Sequence, residues 1–314
     1  VTPAELRLWA ILARRAGVLT PELAANILAA FQELSAGLSD TDLERAVRMG
    51  YAEQIVAQIV SDAAWDAAMR PVRDTMRRSI LQSVPYYARS LPIPPAAAKE
   101  VAVSFDYLSP NVVTAIRQLE TATLAKLEES TRETLRAFVE NGLRDGASPA
   151  SMAKNIRSLF GLSPSQAQEV ENFRQALSGT NGRSIANYNL RNRTVDRLLA
   201  KGPLTPAQID RYTELYRQKR IAQNAYTNAR TASGDAQKLA NRLAWQHAID
   251  TGAVDSARLK RKWIGVNDDR ERPSHVAMNN EVAAFDQPYS NGQMVPGFGE
   301  YNCRCVERFF VSTA

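Results

Sequence analysis

Apolar residues recur at helical spacing through most of the chain up to Gly252. Leu43, Val47, Tyr51, Ile55, Val56 and Ile59 form one such stripe, continued by Trp65 and Met69. Punctuation residues divide the pattern. Thr2-Pro3-Ala4-Glu5 reads as a capping box with proline in the first turn and predicts a helix to about Arg15, stopping at Gly17. Thr20-Pro21 starts a second helix that ends near Gly37, and Asp40 or Thr41 starts a third. Pro71 should kink or break that helix, and the pattern resumes from Met76 to Leu81.

Pro85 to Pro95 is proline-rich and reads as an extended linker, with Val101 to Tyr107 as one short extended segment after it. Helices are then expected from Val112 to Glu140, over 149–159 and 164–178, from the Gly182 turn to Ala200, and from Pro206 to about Arg230. Ser233-Gly234-Asp235 marks a break, and a last helix runs to Thr251-Gly252. Beyond it the helical period disappears. Arg261 to Val266, Val282 to Phe285 and Asn302 to Val311 are strand candidates. Pro273 suits the start of a short helix carrying His275, and turns fall at 289–292 and 296–299. The expected fold class is therefore mainly α, an extended multi-helix arm with a small C-terminal α+β module. Its parts are an N-terminal helical domain (1–84), a linker (85–98), a helical middle region (99–252) and the module (253–314).

The composition, 45% hydrophobic and 23% charged, is that of an ordinary globular chain. No apolar run approaches the roughly 20 residues of a membrane span. Glu5, Arg7, Arg14 and Arg15 interrupt the first apolar patches, so no export signal is expected there. The two cysteines stand one residue apart, which suits reduced thiols better than a disulfide framework. The net charge of +6 is unevenly spread, because residues 180–262 carry 16 basic and 6 acidic side chains. Arg191, Arg193, Arg197, Arg211, Arg217, Lys219, Arg220, Lys260, Arg261 and Lys262 make that segment a candidate surface for DNA or other nucleic acid, through its phosphates. Tyr188, Tyr212, Tyr216 and Tyr226 lie among them. The plainer alternative is a solvated basic face with tyrosines in the core.

Cys303-Arg304-Cys305 in a strand would put both sulfurs on one face, and with His275 they offer three ligands that suit zinc, Asp268, Asp269 or water being a fourth. Alternatively the thiols are small buried apolar groups and His275 closes a turn by hydrogen bonding. Asp268, Asp269, Glu271 and His275 can also be read as an acid–base or metal-nuclease cluster, but Arg270 and Arg272 alternate with the carboxylates as in a salt-bridged turn.

The C-terminal residues resemble the phage Mu F-like minor head protein family, also called the phage head morphogenesis family. The spaced elements are Asn228-Ala229-Arg230-Thr231, Lys262-Trp263, Asp269-Arg270 with His275, Pro296-Gly297, and Asn302-Cys303-Arg304-Cys305. The helix starts at Gly146-Ala147-Ser148-Pro149 and Gly161-Leu162-Ser163 also resemble it, so about 145–311 is covered. Ala232 and Met278-Asn279-Asn280 depart from the family's usual acidic residue and Leu-Asp-Gly, which weighs against an enzyme. The resemblance implies a minor capsid protein of a tailed double-stranded DNA phage, tied to head assembly and to DNA packaging or ejection. It implies portal and major capsid or scaffold proteins as partners, no membrane, and a place in the virion near the portal after assembly in the host cytoplasm. Trp263, Asp269, Arg270, His275, Asn302, Cys303 and Cys305 would be its structural motif. The competing expectations are a metal-dependent nuclease or hydrolase using Asp269, His275, Cys303 and Cys305, and a non-specific DNA-binding accessory protein.

Overall fold

A computed structural model describes residues 3–48 and 52–312, so Thr2 and Tyr51 lie outside the described residues. It is mainly α with a small three-stranded antiparallel sheet near the C-terminus. In chain order the helices are α1 (Pro3–Ala36), α2 (Asp40–Arg48), α3 (Ala52–Ile59), α4 (Asp62–Ala68), α5 (Arg70–Arg89) and α6 (Pro95–Val103). They continue with α7 (Pro110–Arg144), α8 (Pro149–Ile156), α9 (Pro164–Ser178), α10 (Thr194–Leu199) and α11 (Pro206–Asp250). Then come β1 (Leu259–Ile264), α12 (Pro273–Met278), β2 (Val282–Ala284) and β3 (Val306–Val311). No helix of the described residues is long and apolar enough to cross a membrane.

The chain forms two compact units. One comprises the chain up to Leu23, Pro71–Leu124 and Thr227 onward; the other comprises Ala24–Arg70 and Ala125–Tyr226. Helices α1, α7 and α11 supply residues to both. In the second unit Phe173, Tyr188, Tyr212 and Tyr216 form an aromatic core with Leu162 and Val195. The Phe173 and Tyr216 rings stack at 4.3 Å. Ser148 and Ser163 cap α8 and α9 as their Ser-Pro signatures require, with Gln166 completing a capping box.

Several expected breaks are absent, and burial accounts for each. Helix α1 is continuous through Gly17 and Pro21. Proline at a helix interior costs about 3 kcal/mol. Leu12, Leu19, Leu23, Ile27 and Phe31 are all buried on one side of this helix, and each contributes roughly 1.5–3 kcal/mol. The same holds for Pro85 inside α5, where Val84, Tyr87 and Ala88 are buried. The expected linker is thus helical to Arg89 and again from Pro95, and the expected extended segment from Val101 begins as the end of α6. Conversely, the single helix expected from Asp40 is divided, and Ser61 caps α4 by accepting from the Ala64 N–H. The stretch up to Ala200 is mostly irregular, with only α10 as α-helix.

Ser233-Gly234-Asp235 does not interrupt α11. Ser and Asp favour helix ends because they bond their own backbone. Here the Asp235 carboxylate accepts instead from Lys238 Nζ at 3.3 Å and from the Gly299 N–H at 2.7 Å. The alanine-rich helix therefore continues past Thr231. Ala229, Ala232, Ala236, Ala240, Ala244 and Ala248 are each 1% exposed or less and line its buried face.

The strand order is β2-β1-β3, both pairs antiparallel, with Trp263 opposite Glu307 and Arg261 opposite Ala283 and Phe309. Leu259, Arg261 and Trp263 alternate onto the buried face of β1. Arg261 is fully buried and pairs with Glu307 at 3.1 Å. It also donates to the Ala284 carbonyl at 3.0 Å and to the carbonyls of Met294 and Gln287, and lies 4.5 Å over the Tyr289 ring. One guanidinium thus ties the sheet to the 285–294 loop. Removing one partner of a buried pair leaves the other charge uncompensated, at about 3–5 kcal/mol. Arg261→Ala is expected to lower stability by about that much in urea unfolding, and Arg261→Lys to recover only part, because an ammonium lacks the planar fork.

Candidate metal centre

The site is assembled from four short segments. Pro273 sits in the first turn of α12, and the helix is just long enough to turn His275 and Met278 inward, three residues apart. Trp263 on β1 packs edge-on against the His275 ring at 5.3 Å and against Tyr289 at 5.2 Å. Cys303 and Cys305 precede β3, which begins at Val306, so strand alternation is not what aligns their sulfurs. The intervening Arg304 is drawn away by Asp268, which accepts from both of its terminal nitrogens at 2.5 and 2.7 Å. This bidentate pair fixes the 268–271 turn against the cysteine segment and leaves both sulfurs beside the histidine.

His275, Cys303 and Cys305 form a cluster that can hold a metal ion, with donor atoms all within 4.8 Å of one another. Each sulfur lies 3.5 Å from His275 Nδ1. On the other side of the ring, Nε2 sits 3.0 and 3.2 Å from the Glu300 carboxylate oxygens. Glu300 accepts from Gln293 Nε2 at 2.6 Å, and Gln293 Oε1 accepts from the Gly297 N–H at 2.8 Å. Cys305 Sγ lies 3.3 Å from Glu271 Oε1. The expectation that His275 and the two cysteines meet in space therefore holds. Glu300, Gln293, Asp235 and Lys238 were not anticipated.

Helix α11 grips this assembly with one polar face. Thr231, Asp235 and Lys238 stand at i, i+4 and i+7. Thr231 Oγ1 accepts from the Asn302 N–H at 3.1 Å, Asp235 takes the Gly299 N–H, and Lys238 donates to the Pro296 carbonyl at 2.9 Å. That spacing of polar residues inside an alanine-rich helix was the available signal. Asn302 has φ +57°, a left-handed conformation that asparagine tolerates. Gly297 has φ +56°, and an added Cβ would lie 2.8 Å from Cys303 Cβ and 3.2 Å from His275 Cε1.

The electrostatics divide the two thiols. A hydrogen bond from Cys305, with the charges of Lys238 and His275, pushes Cys303 towards the thiolate against the opposing effect of burial. The same hydrogen bond, burial and the neighbouring Glu271 push Cys305 up. Burial raises Glu300, but the Gln293 amide, His275 and Arg272 outweigh it and hold the carboxyl below its ordinary value. Asp268 is held far below the usual carboxylate range, chiefly by Arg304.

The acid–base cluster gathers in part: Glu271 and His275 border one cleft. Asp269 and Arg270 are exposed, and Asp268 is committed to Arg304. The cleft beside the cluster, bordered by Val266, Glu271, His275, Cys303 and Cys305, has a volume of about 20 Å³. That is room for one water-sized body.

The basic candidates separate into two groups. Arg191 is buried, bidentate to Asp196 and bonded to the Ala186 and Tyr188 carbonyls. Arg261 is buried as described, Lys262 pairs with Glu5 at 2.9 Å, Arg217 pairs with Glu214, and Arg220 pairs with Glu169. Arg191 and Arg261 thus serve the fold, while Arg217, Arg220 and Lys262 are half-buried and ion-paired. Lys260 is half-buried, whereas Arg193, Arg197, Arg211 and Lys219 are exposed. Tyr188, Tyr212 and Tyr216 belong to the core, and Tyr226 is exposed.

Searches of protein-family models, curated proteins and solved structures found no match to this chain.

Two outcomes follow. Gly297→Ala combines a left-handed backbone with overpacking of Cys303, and is expected to lower stability by about 2–5 kcal/mol in urea unfolding. The Asp268 carboxyl is depressed in the fold, so its contribution is present above its unfolded value of about 3.9 and lost as pH falls below it. Arg304→Ala should remove that acid-side loss, seen as a flatter dependence of the unfolding midpoint between about pH 4 and pH 2.

Proposed function

We propose that this chain is a minor head protein of a tailed double-stranded DNA phage, acting as a structural component at the portal and capsid interior. The observation that carries this reading is a convergence. Several of the elements that resemble the head morphogenesis family, Thr231, Trp263, His275, Gly297 and Asn302 to Cys305, are scattered along the chain yet meet around one cluster. Asn302 bonds Thr231 across 71 residues, Trp263 packs on His275, and Gly297 abuts Cys303 and His275. A pattern whose members hold one another in place is a fold-locking pattern. The small cleft, which Asp269 does not border, favours this role over a nuclease or hydrolase. In this reading the cluster holds zinc as a structural ion. It ties the α12 segment to the strand that ends the module.

The exposed Arg193, Arg197, Arg211 and Lys219 supply contact with packaged DNA, through phosphates and without sequence preference. The partners of the remaining surface are the portal ring and the major capsid or scaffold proteins.

The test is composition and retention. Virions of the phage encoding the chain should contain it, and it should remain on purified portal rings through gel filtration. Its absence from virions would overturn the reading. For the DNA contact, log affinity should fall with log salt at a slope of about −3 to −4 if four phosphates are engaged. Reversing the four exposed charges together should flatten that slope for any sequence. A slope of zero in the wild type would remove DNA from the partners and leave the portal role standing.

A further inference from the structure

We propose that Glu271 is the fourth ligand of a closed, four-coordinate zinc site with His275 Nδ1, Cys303 Sγ and Cys305 Sγ, and that Glu300 is the carboxylate that orients the ligating histidine. This rests on the zinc reading of the cluster and adds its coordination.

Tetrahedral zinc holds sulfur at about 2.3 Å and nitrogen at about 2.0–2.1 Å, which places those two corners about 3.5 Å apart. Both observed sulfur–nitrogen separations are 3.5 Å. A single thiol–imidazole hydrogen bond gives a similar distance for one cysteine. Nδ1, however, has one lone pair or one proton, and serves one sulfur well. Two sulfurs at this distance from one nitrogen match two sulfur–nitrogen edges of a zinc tetrahedron.

For the fourth corner, one edge to a carboxylate oxygen is already in place. Glu271 Oε1 lies 3.3 Å from Cys305 Sγ, close to the sulfur–oxygen edge of about 3.5 Å that zinc distances give. This carboxylate is held in place. Its Oε2 accepts from the Asn267 N–H, and an added Cβ at Gly265 would lie 2.9 Å from its Cδ. Thus one oxygen is bound to backbone and the other lies beside the Cys305 sulfur.

On the far side of the ring, Glu300 at Nε2 selects the tautomer that leaves Nδ1 free to ligate, the usual outer partner of a metal-bound histidine. Glu300 is itself fixed by Gln293 and by Arg272 at 3.5 Å. Two thiolates and a carboxylate around a divalent ion leave an excess negative charge, and the buried Lys238 ammonium lies where it acts on both sulfurs. The same Cys303–His275–Glu300 line could be drawn as a nucleophile and its base. The second sulfur and the 20 Å³ cleft argue for the ion.

The test uses the full chain, stripped with a chelator and titrated with Co²⁺ and then Zn²⁺. The wild type should bind one equivalent of Co²⁺ with thiolate charge-transfer absorption and intense tetrahedral visible bands. Azide should leave those bands unchanged, because no position is open. Glu271→Ala should bind at least about tenfold more weakly and become azide-sensitive, as water takes the vacated corner. Glu271→Gln, which keeps the side chain's size, repeats the comparison should Glu271→Ala fail to fold. Glu300→Gln should weaken binding about 10–100-fold with the tetrahedral bands retained. Unchanged affinity in both Glu271 variants, or azide sensitivity in the wild type, would overturn Glu271 as ligand while zinc at the cluster stands. No Co²⁺ or Zn²⁺ bound by the wild type would overturn the zinc reading itself.

Discussion

The Asp235–Lys238 ion pair, buried on an otherwise alanine-rich helix, is the constraint on which the C-terminal module depends. Both residues are 5% exposed or less. Two charges taken out of water need good geometry and further hydrogen bonds to offset desolvation. Each finds one on the 296–302 segment, Asp235 at the Gly299 N–H and Lys238 at the Pro296 carbonyl. Burial pushes Asp235 up, and Lys238 and the Gly299 N–H pull against it. The pair is satisfied only if that segment takes one path. That path brings Gly297 against Cys303 and His275 and presents Glu300 to the imidazole. The charges on α11 therefore dictate the geometry of the cluster without belonging to it.

A second buried polar group works in parallel. Arg261 and Glu307, with Arg242 at 3.7 Å from the same carboxylate, bind the sheet to its loops. The two networks stand beside an apolar core that includes Leu259, Trp263, Ile264, Met278, Phe285, Tyr289 and Phe309. Directional bonds decide loop paths that packing alone would leave degenerate. An ion at the cluster would add a third staple, joining the 267–271 turn, α12 and the entry to β3. Small modules gain most from such staples.

The charge segregation of residues 180–262 is a property of the sequence that the fold divides. Arg191 holds a loop and Arg220 joins α11 to α9 in the second unit, Arg217 pairs within α11, and Arg261 and Lys262 hold strand β1. The buried Arg191 and Arg261 guanidiniums, satisfied by carbonyls and carboxylates, are not exposed for phosphate contact. The exposed remainder is smaller than the sequence count and confined to Arg193, Arg197, Arg211 and Lys219 among the singled-out positions.

Local chemistry determined the helices that begin with Ser-Pro, the short α12 after Pro273, the turns at 289–292 and 296–299, and a sheet near the C-terminus. In each case one residue type has a conformation it strongly prefers, so neighbours alone decide. The resemblance to the head morphogenesis pattern marked His275, Cys303 and Cys305, and they do meet. Tertiary structure decided the rest. It carried helices through Pro21, Pro85 and Gly234, because burying a face outweighs the roughly 1–3 kcal/mol that glycine or proline costs locally. It placed the cysteines together ahead of the strand, through Arg304 turning to Asp268 and through Gly297 leaving space. It also chose Glu300, Asp235 and Lys238 as the partners of the site. A charged side chain's neighbours in sequence do not reveal which distant backbone group or sulfur will answer it; that is fixed only when the chain has closed around both.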